Sequence, residues 1–260
     1  MKRNKEINFI LGCIMVGIVI CILLIGIFYT PYDPDQMDGL AKNMAPNLKH
    51  LFGTDNFGRD ILSRVMAGSK ITFLVAIFTV AIGAGIGTLV GAITGFYGGV
   101  LDEIIMRLND ALASFPSILL ALVIVSVVDI GRFNLIFALG IVFIPSFARV
   151  IRSEFITLKE MDFVKNAKLM GASDFRIMFI HILPNTRKIL RTSIMIGFNN
   201  AILAEAGMSY LGLGVQPPLS SLGRMLSEAQ PYLFNAPWYA LAPGFMIVFT
   251  VLGFSMLSDG

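Results

Sequence analysis

The stretch DFVKNAKLMGASDFRIMFIHILPN, Asp162–Asn185, decides how this chain is read. Phe163, Ala167 and Met170 recur at i, i+4 and i+7 while Lys165 and Lys168 fall on the other side, so a short amphipathic helix is expected over Asp162–Met170. Gly171 ends it. Ser173 or Asp174 can cap a second helix running through Phe175, Ile177 and Met178, which Pro184 should stop because it lacks an N–H and crowds the preceding turn. A basic, glycine-hinged pair with one apolar face needs cover for that face. Periodicity allows two covers, a lipid surface or a docking soluble partner.

Outward from this stretch the chain turns apolar. Of its 260 residues 56% are hydrophobic and only 14% charged, whereas soluble domains carry about 25% charge, so the chain reads as an integral membrane protein. Segments of roughly 17–25 apolar residues, the length that crosses a hydrocarbon core, fall near 8–29, 71–97, 112–128, 133–150, 189–207 and 239–257. Lys2, Arg3 and Lys5 precede the first. Its apolar core exceeds the ~7–15 residues of a signal peptide and no small-residue cleavage site follows, so a retained helix is expected. The expectation is an all-α integral membrane fold with six transmembrane helices. Residues 1–70 supply the first helix and an outer segment, and residues 71–260 a five-helix core with a connecting loop at 151–188.

Orientation follows from the cations, because short basic loops resist translocation. Arg149, Arg152, Lys159, Lys165, Lys168, Arg176, Arg187, Lys188 and Arg191 gather around the fourth-to-fifth connection, which places it and the N-terminus in the cytoplasm. Pro31–Lys70 and residues 208–238 then lie outside. Lys42, Lys49, Arg59, Arg64 and Lys70 sit in the first of these, against the rule, although a loop of about 40 residues obeys it less strictly.

Gly83, Gly87, Gly91 and Gly95 stand four apart and form one stripe of the second span, a pattern that lets helix backbones approach in lipid. The stripe suits either another helix of the same chain or a second subunit. Pro116 is expected near the start of the third span and Pro145 should kink or end the fourth. Asp129, Gly131 and Arg132 suggest a short outer turn between them, and Asn109 and Asp110 suggest a cap for the third span.

The chemistry-bearing residues exclude several functions. Cys13 and Cys21 lie in an apolar run and read as small buried hydrophobes, and His50 and His181 have no ligand-forming neighbours at metal spacing. No nucleophile and base can be paired, and the net charge of +3 gives no support for nucleic-acid binding. No G-x-x-x-x-G-K-[ST] loop is present; in GTDNFGRD the place of Lys-Ser/Thr is taken by Arg59-Asp60. Polar residues inside a span are costly unless they face a cavity or a partner, which makes Asn199, Asn200 and Glu205 the candidates for a translocation path. Bonding between helices, or interfacial water in the case of Glu205, is the other account of them. Gly53–Gly68 either receives a binding protein or builds a tight, internally bonded turn.

Lys165-Asn166-Ala167, then Gly171, then Ile182-Leu183-Pro184 resembles the "EAA" loop of permease subunits in bacterial ATP-binding-cassette importers, with Lys-Asn-Ala where relatives often carry Glu-Ala-Ala. PYDP, HLFGTDNFGRDILSRVMAG, MRLNDALASFP, LAEAGMSYLGLGVQPP and LSDG extend the resemblance over nearly the whole chain, to the C-type permeases of the dipeptide/oligopeptide/nickel branch. The resemblance implies a type I ABC importer permease fold. It implies that Phe163, Lys165, Asn166, Ala167, Lys168, Met170, Gly171, Leu183 and Pro184 form a cytoplasmic coupling helix seated in a groove of an ATPase subunit. It implies as partners a second homologous permease in a heterodimer, two ATPase subunits, an extracytoplasmic substrate-binding protein and membrane lipid. No cofactor is expected on this chain, ATP and Mg being held by the partners, and the expected site is the bacterial inner membrane. Peptides or a nickel chelate are the implied cargo. An ion-coupled secondary carrier is the alternative of another class, which should show internal repeats and midplane charges that this chain lacks.

Overall fold

The computed structural model describes residues 2–128 and 131–258, and helices account for nearly all of its regular structure. The chain order is α1 (Lys2–Phe28), α2 (Ile61–Tyr97), α3 (Gly99–Ala113), α4 (Ser117–Val128), α5 (Arg132–Leu158), α6 (Asp162–Leu169), α7 (Asp174–Arg176), α8 (Arg187–Tyr210), α9 (Leu222–Ala229) and α10 (Pro237–Ser258). Helices stand at all six expected span positions. Four of them, α1, α2, α5 and α10, are long and apolar enough to cross a membrane, and α3 with α4 adds a fifth if that bent pair is one span. The remaining position is filled by α8, whose 24 residues are long enough but include Arg187, Lys188, Arg191 and Glu205. The expected outer turn at Asp129 and the closing Asp259-Gly260 lie outside the described residues.

Three boundaries differ from expectation. α2 begins at Ile61 rather than near residue 71, because Arg64 and Ser69, read as loop, are buried in its first turns. The third span is not one helix: α3 and α4 meet at a bend of 91°, and Pro116 precedes α4, its carbonyl accepting from Leu120 N at 3.0 Å. Asn109 and Asp110 therefore cap nothing at the start of α4. Asn109 is buried within α3, and Asp110 accepts from Arg149 at 2.8 Å. Pro145 does not end the fourth span, since α5 runs through it to Leu158. Membrane helices tolerate an internal proline better than soluble ones do.

The chain forms two compact units that interleave along the sequence, whereas the expected division at residue 70 followed chain order. The first comprises Met1–Ile77, Val125–Ile136 and Phe198–Gly260, the second Phe78–Ile124 and Phe137–Gly197. In the first, α1 lies against α10: a Cβ on Gly12 would stand 2.8 Å from Leu257 N, so only glycine permits that approach. Phe73, Phe198 and Phe254 close a ring cluster there, with Phe198 and Phe254 centroids 4.7 Å apart. Cys13 and Cys21, expected as buried, are exposed on α1.

In the second unit, the glycine stripe of α2 packs along α5. Cβ atoms at Gly83, Gly87 and Gly95 would lie 2.7, 2.6 and 2.7 Å from Phe143 Cβ, Phe147 Cβ and Arg152 O, and one at Gly91 would collide with Ala148 O. The stripe is thus an intrachain seam. A bidentate pair, Arg152 Nε and a terminal nitrogen on the two Asp102 oxygens at 2.5 Å, ties α3 to α5.

Candidate functional site

The glycine-hinged stretch folds as two helical pieces set on a buried base. α6 ends where Gly171 turns with φ +82°, a backbone conformation that favours glycine. Ser173 caps the next piece, its Oγ accepting from Arg176 N at 3.4 Å. After α7 the chain passes through a π-helical turn, Ile177–Ile182, and a tighter 3-10 turn, Leu183–Thr186, into α8. Pro184 therefore changes the helical pitch without breaking the path, and the Asn185 amide donates to His181 O at 2.6 Å in that region.

The buried face keeps Ala167 from the expected one but carries Val164 in place of Phe163 and Met170. Val164 (5% exposed) and Ala167 (9%) point inward, onto a core of Ala92, Ile151, Phe155, Ile177, Met178 and Ile182. Ala167 is thus a base residue and is unavailable as an insert into a partner. Leu183 packs against the same core and Pro184 is half-buried. Facing outward are Leu169 (86%), Met170 (87%) and Phe175 (70%), with Phe163, Lys165, Asn166, Lys168 and Gly171 also exposed. Lys165 stands 3.9 Å from Asp162, a surface contact worth little. The element is a firmly based knob with an apolar tip and basic flanks.

The polar residues of α8 separate. Asn200 is exposed, Asn199 is buried, and Glu205 is fully buried rather than reaching water. Glu205 Oε1 accepts from Ser209 Oγ at 2.7 Å, with Thr72 and Ser221 around the carboxyl. Glu205 is thus a buried group of the first unit whose bond to Ser209 stays within α8, and Asn200 alone of the three is accessible.

Sequence reasoning missed a charge cluster in the first unit. Asp55 Oδ2 accepts from Arg59 Nε and from Arg64, both at 2.6 Å; Glu228 Oε2 accepts from Arg64 at 3.0 Å, Arg59 at 3.1 Å and the Tyr239 hydroxyl at 3.0 Å. Asp60 accepts from Ser63 N and Oγ and contacts His50 Nδ1 at 3.0 Å. Burial alone would raise the Glu228 carboxyl, but Arg64 and Arg59 beside it, with hydrogen bonds from Tyr239 and Arg64, hold it below its ordinary 4.5. Gly53–Gly68 is thereby an internally bonded turn, in which Gly58, at φ +78°, passes so close to Asp38 O that no side chain fits. Arg59 and Arg64, which stood against the charge rule, are neutralised by these carboxylates. The readable signal was Asp55, Arg59, Asp60 and Arg64 at helical spacing ahead of a span.

Residues 87–260 match the family described as binding-protein-dependent transport system inner membrane component. The chain belongs to this family. Among its curated relatives, the permease is 38% identical over 260 residues to the dipeptide transport system permease protein DppC of Alkalihalophilus pseudofirmus, covering 100% of this chain and 85% of that protein. It is likewise 38% identical to DppC of Haemophilus influenzae, covering 100% and 89%, and 42% identical to the glutathione transport system permease protein GsiD of Escherichia coli O6:K15:H31, covering 93% and 81%. A solved structure of the MetNI methionine ABC transporter in an inward-facing conformation superposes with a TM-score of 0.56 at 20% identity, covering 75% of this chain and 93% of that one. The permease thus has the type I ABC importer permease fold and is a multi-pass inner-membrane protein. Such a component works with ATPase and permease partners.

Proposed function

We propose that this permease is one half of a heterodimeric channel importing dipeptides or short oligopeptides, fed by an extracytoplasmic binding protein and driven by two ATPase subunits that hold ATP and Mg. The peptide assignment rests on the similarity to DppC along this whole chain and on the GsiD relatives, named for transport of glutathione, itself a peptide. This chain does no chemistry of its own. The cytoplasmic side carries the N-terminus and the knob, in keeping with the cations at 149–191 and with the pairing of Arg59 and Arg64 elsewhere.

The observation that carries the coupling role is the exposed tip. Leu169, Met170 and Phe175 place three large apolar side chains in the open on a base that is otherwise well packed, which suits a groove in a soluble partner. Lys165, Asn166 and Lys168 form the rim, Gly171 sets the angle between the two pieces, and Leu183 and Pro184 join the knob to α8. A knob gripped differently in two states of the ATPase shifts the membrane helices by that difference in affinity. Asn200, with Asn199 and Glu205 behind it, marks the side of α8 nearest the path.

The test is the double substitution L169D/M170D in the complete transporter. The variant is expected to reach the membrane folded, to lose co-purification of the ATPase subunits and to lose dipeptide uptake. Retention of the ATPase subunits with full uptake removes the coupling assignment.

A further inference from the structure

A cleft of about 700 Å³ opens in the first unit beside the charge cluster, on the extracytoplasmic side in the proposed topology. Its floor is buried and basic, with Arg64 2% and Arg59 8% exposed. Its rim is open, carrying Asp35, Pro218 and Leu219. Three features of its lining remain unused by the fold. Arg64 donates through both terminal nitrogens, yet its Nε is buried without a partner among the described residues. Arg224 is held only through Nε, on Glu228 Oε1 at 3.2 Å, so its terminal nitrogens are unpaired among the described residues. Asp35 uses only its backbone N–H, on Asp33 Oδ1 at 2.9 Å, and its carboxylate is paired with no cation among the described residues.

A cleft with spare guanidinium donors, a separate free carboxylate and an apolar wall of Pro218 and Tyr232 is balanced in charge, so a simple anion gains little there. A molecule with both charges and an apolar or peptide-like middle gains at each end. The volume lies within the range of about 300–1,000 Å³ typical of small-ligand pockets, and such pockets combine apolar walls with a few convergent polar groups. Arginine forks match carboxylates in two parallel hydrogen bonds.

We propose that this cleft is a receiving subsite for a short zwitterionic peptide, its carboxylate on the terminal nitrogens of Arg224 and its ammonium on Asp35. This rests on the peptide-import reading and adds to it that the permease itself reads both charged termini of its cargo. Glu228, sharing Arg224 with the incoming carboxylate, keeps the hold weak enough for onward release.

The experiment uses the assembled transporter in lipid nanodiscs without its binding protein, and a dipeptide bearing a diazirine side chain. Irradiation followed by peptide mapping is expected to label the lining, such as Tyr232 or Pro218. Free dialanine is expected to suppress labelling at concentrations about tenfold lower than either N-acetyl-dialanine or dialanine amide. In R224Q the amide should compete as well as free dialanine, while the acetylated form remains weak; D35N should show the reverse. R224K, which keeps the charge, should keep the preference for a free carboxylate. Labelling elsewhere, or variants in which the two end preferences do not separate, overturns the proposal. Uptake of radiolabelled dialanine by the complete transporter, measured alongside, separates the two readings. Uptake without cleft labelling overturns the subsite alone, whereas failure to take up any peptide overturns the import reading and the subsite with it.

Discussion

The charged turn at residues 53–64 and the knob at residues 162–186 are opposites in how they treat their side chains. In the turn, groups that prefer water are buried and their charges are paired with one another: Asp55, Arg59, Arg64, Glu228 and Tyr239 form one connected set. In the knob, groups that avoid water are left outside, with Leu169 and Met170 almost fully exposed above a packed base. A region that pairs its own charges is held together within one chain. A region that spends exposed leucine, methionine and phenylalanine on its tip is shaped by what it meets. Substitutions in the turn should therefore register in the stability of the chain, and substitutions at the knob's tip in assembly.

The largest effect is expected at Arg64. Replacing it by alanine leaves Asp55 fully buried with one cation fewer and removes a partner from Glu228 and Tyr239, and breaking a buried pair from one side costs about 3–5 kcal/mol. R64A should show little folded protein in fluorescence-detected size exclusion. R64M/D55L, which removes charge from both sides, should recover part of the loss. An R64A variant as stable as the parent would mean that the cluster is not a structural unit.

Next comes the α2–α5 seam. G91V drives a branched side chain into Ala148 O and towards Ile151, and overpacking of this kind costs about 1–3 kcal/mol. G85V is the control, because a Cβ at Gly85 meets nothing. A thermal midpoint lowered in G91V and unchanged in G85V supports the seam; equal shifts remove it.

These sites also show what the sequence carries. The glycine stripe, the spans and the Gly171 hinge were legible, since each is a periodic or conformational demand of single residues. The buried charges were not. Arg64 next to a span reads as a loop cation until Glu228, 164 residues away, is known to face it. The break between α3 and α4 was missed for a related reason: α3 is amphipathic and anchored by Arg152 on Asp102, so it gives no continuous apolar run. On α6, a face drawn through Phe163, Ala167 and Met170 fits the helical period as well as one through Val164 and Ala167, and only the packed core of α5 and the π-helical turn chooses between them.

A smaller, pH-dependent effect is expected from Glu228. Its folded carboxyl is held below the ordinary 4.5, so its contribution to stability is complete above that value and is lost as pH falls through the lower folded value. The thermal midpoint should therefore decline on acidification below about pH 4.5, and E228Q should flatten that part of the profile while lowering the plateau at neutral pH. A profile unchanged by E228Q would place the acid sensitivity in other carboxylates.

The smallest effect on the chain itself is expected at the tip of the knob, and there the comparison is sharpest. L169D puts a charge where water already reaches, so the stability of the isolated permease should change by no more than about 0.5 kcal/mol. V164D, five residues earlier on the same helix, puts the same charge against Phe155 and Ile177 and should destabilise the chain far more, since a buried charge without a partner must shed its hydration. Partner capture should rank the two differently. L169D should fold and fail to hold ATPase subunits, whereas V164D should fail already at folding, so that any V164D protein recovered in folded form still presents the correct tip and still binds. Folded L169D that retains its partners would show that the exposed tip meets lipid or water, and the contrast between a finished turn and an unfinished knob would then describe packing without describing function.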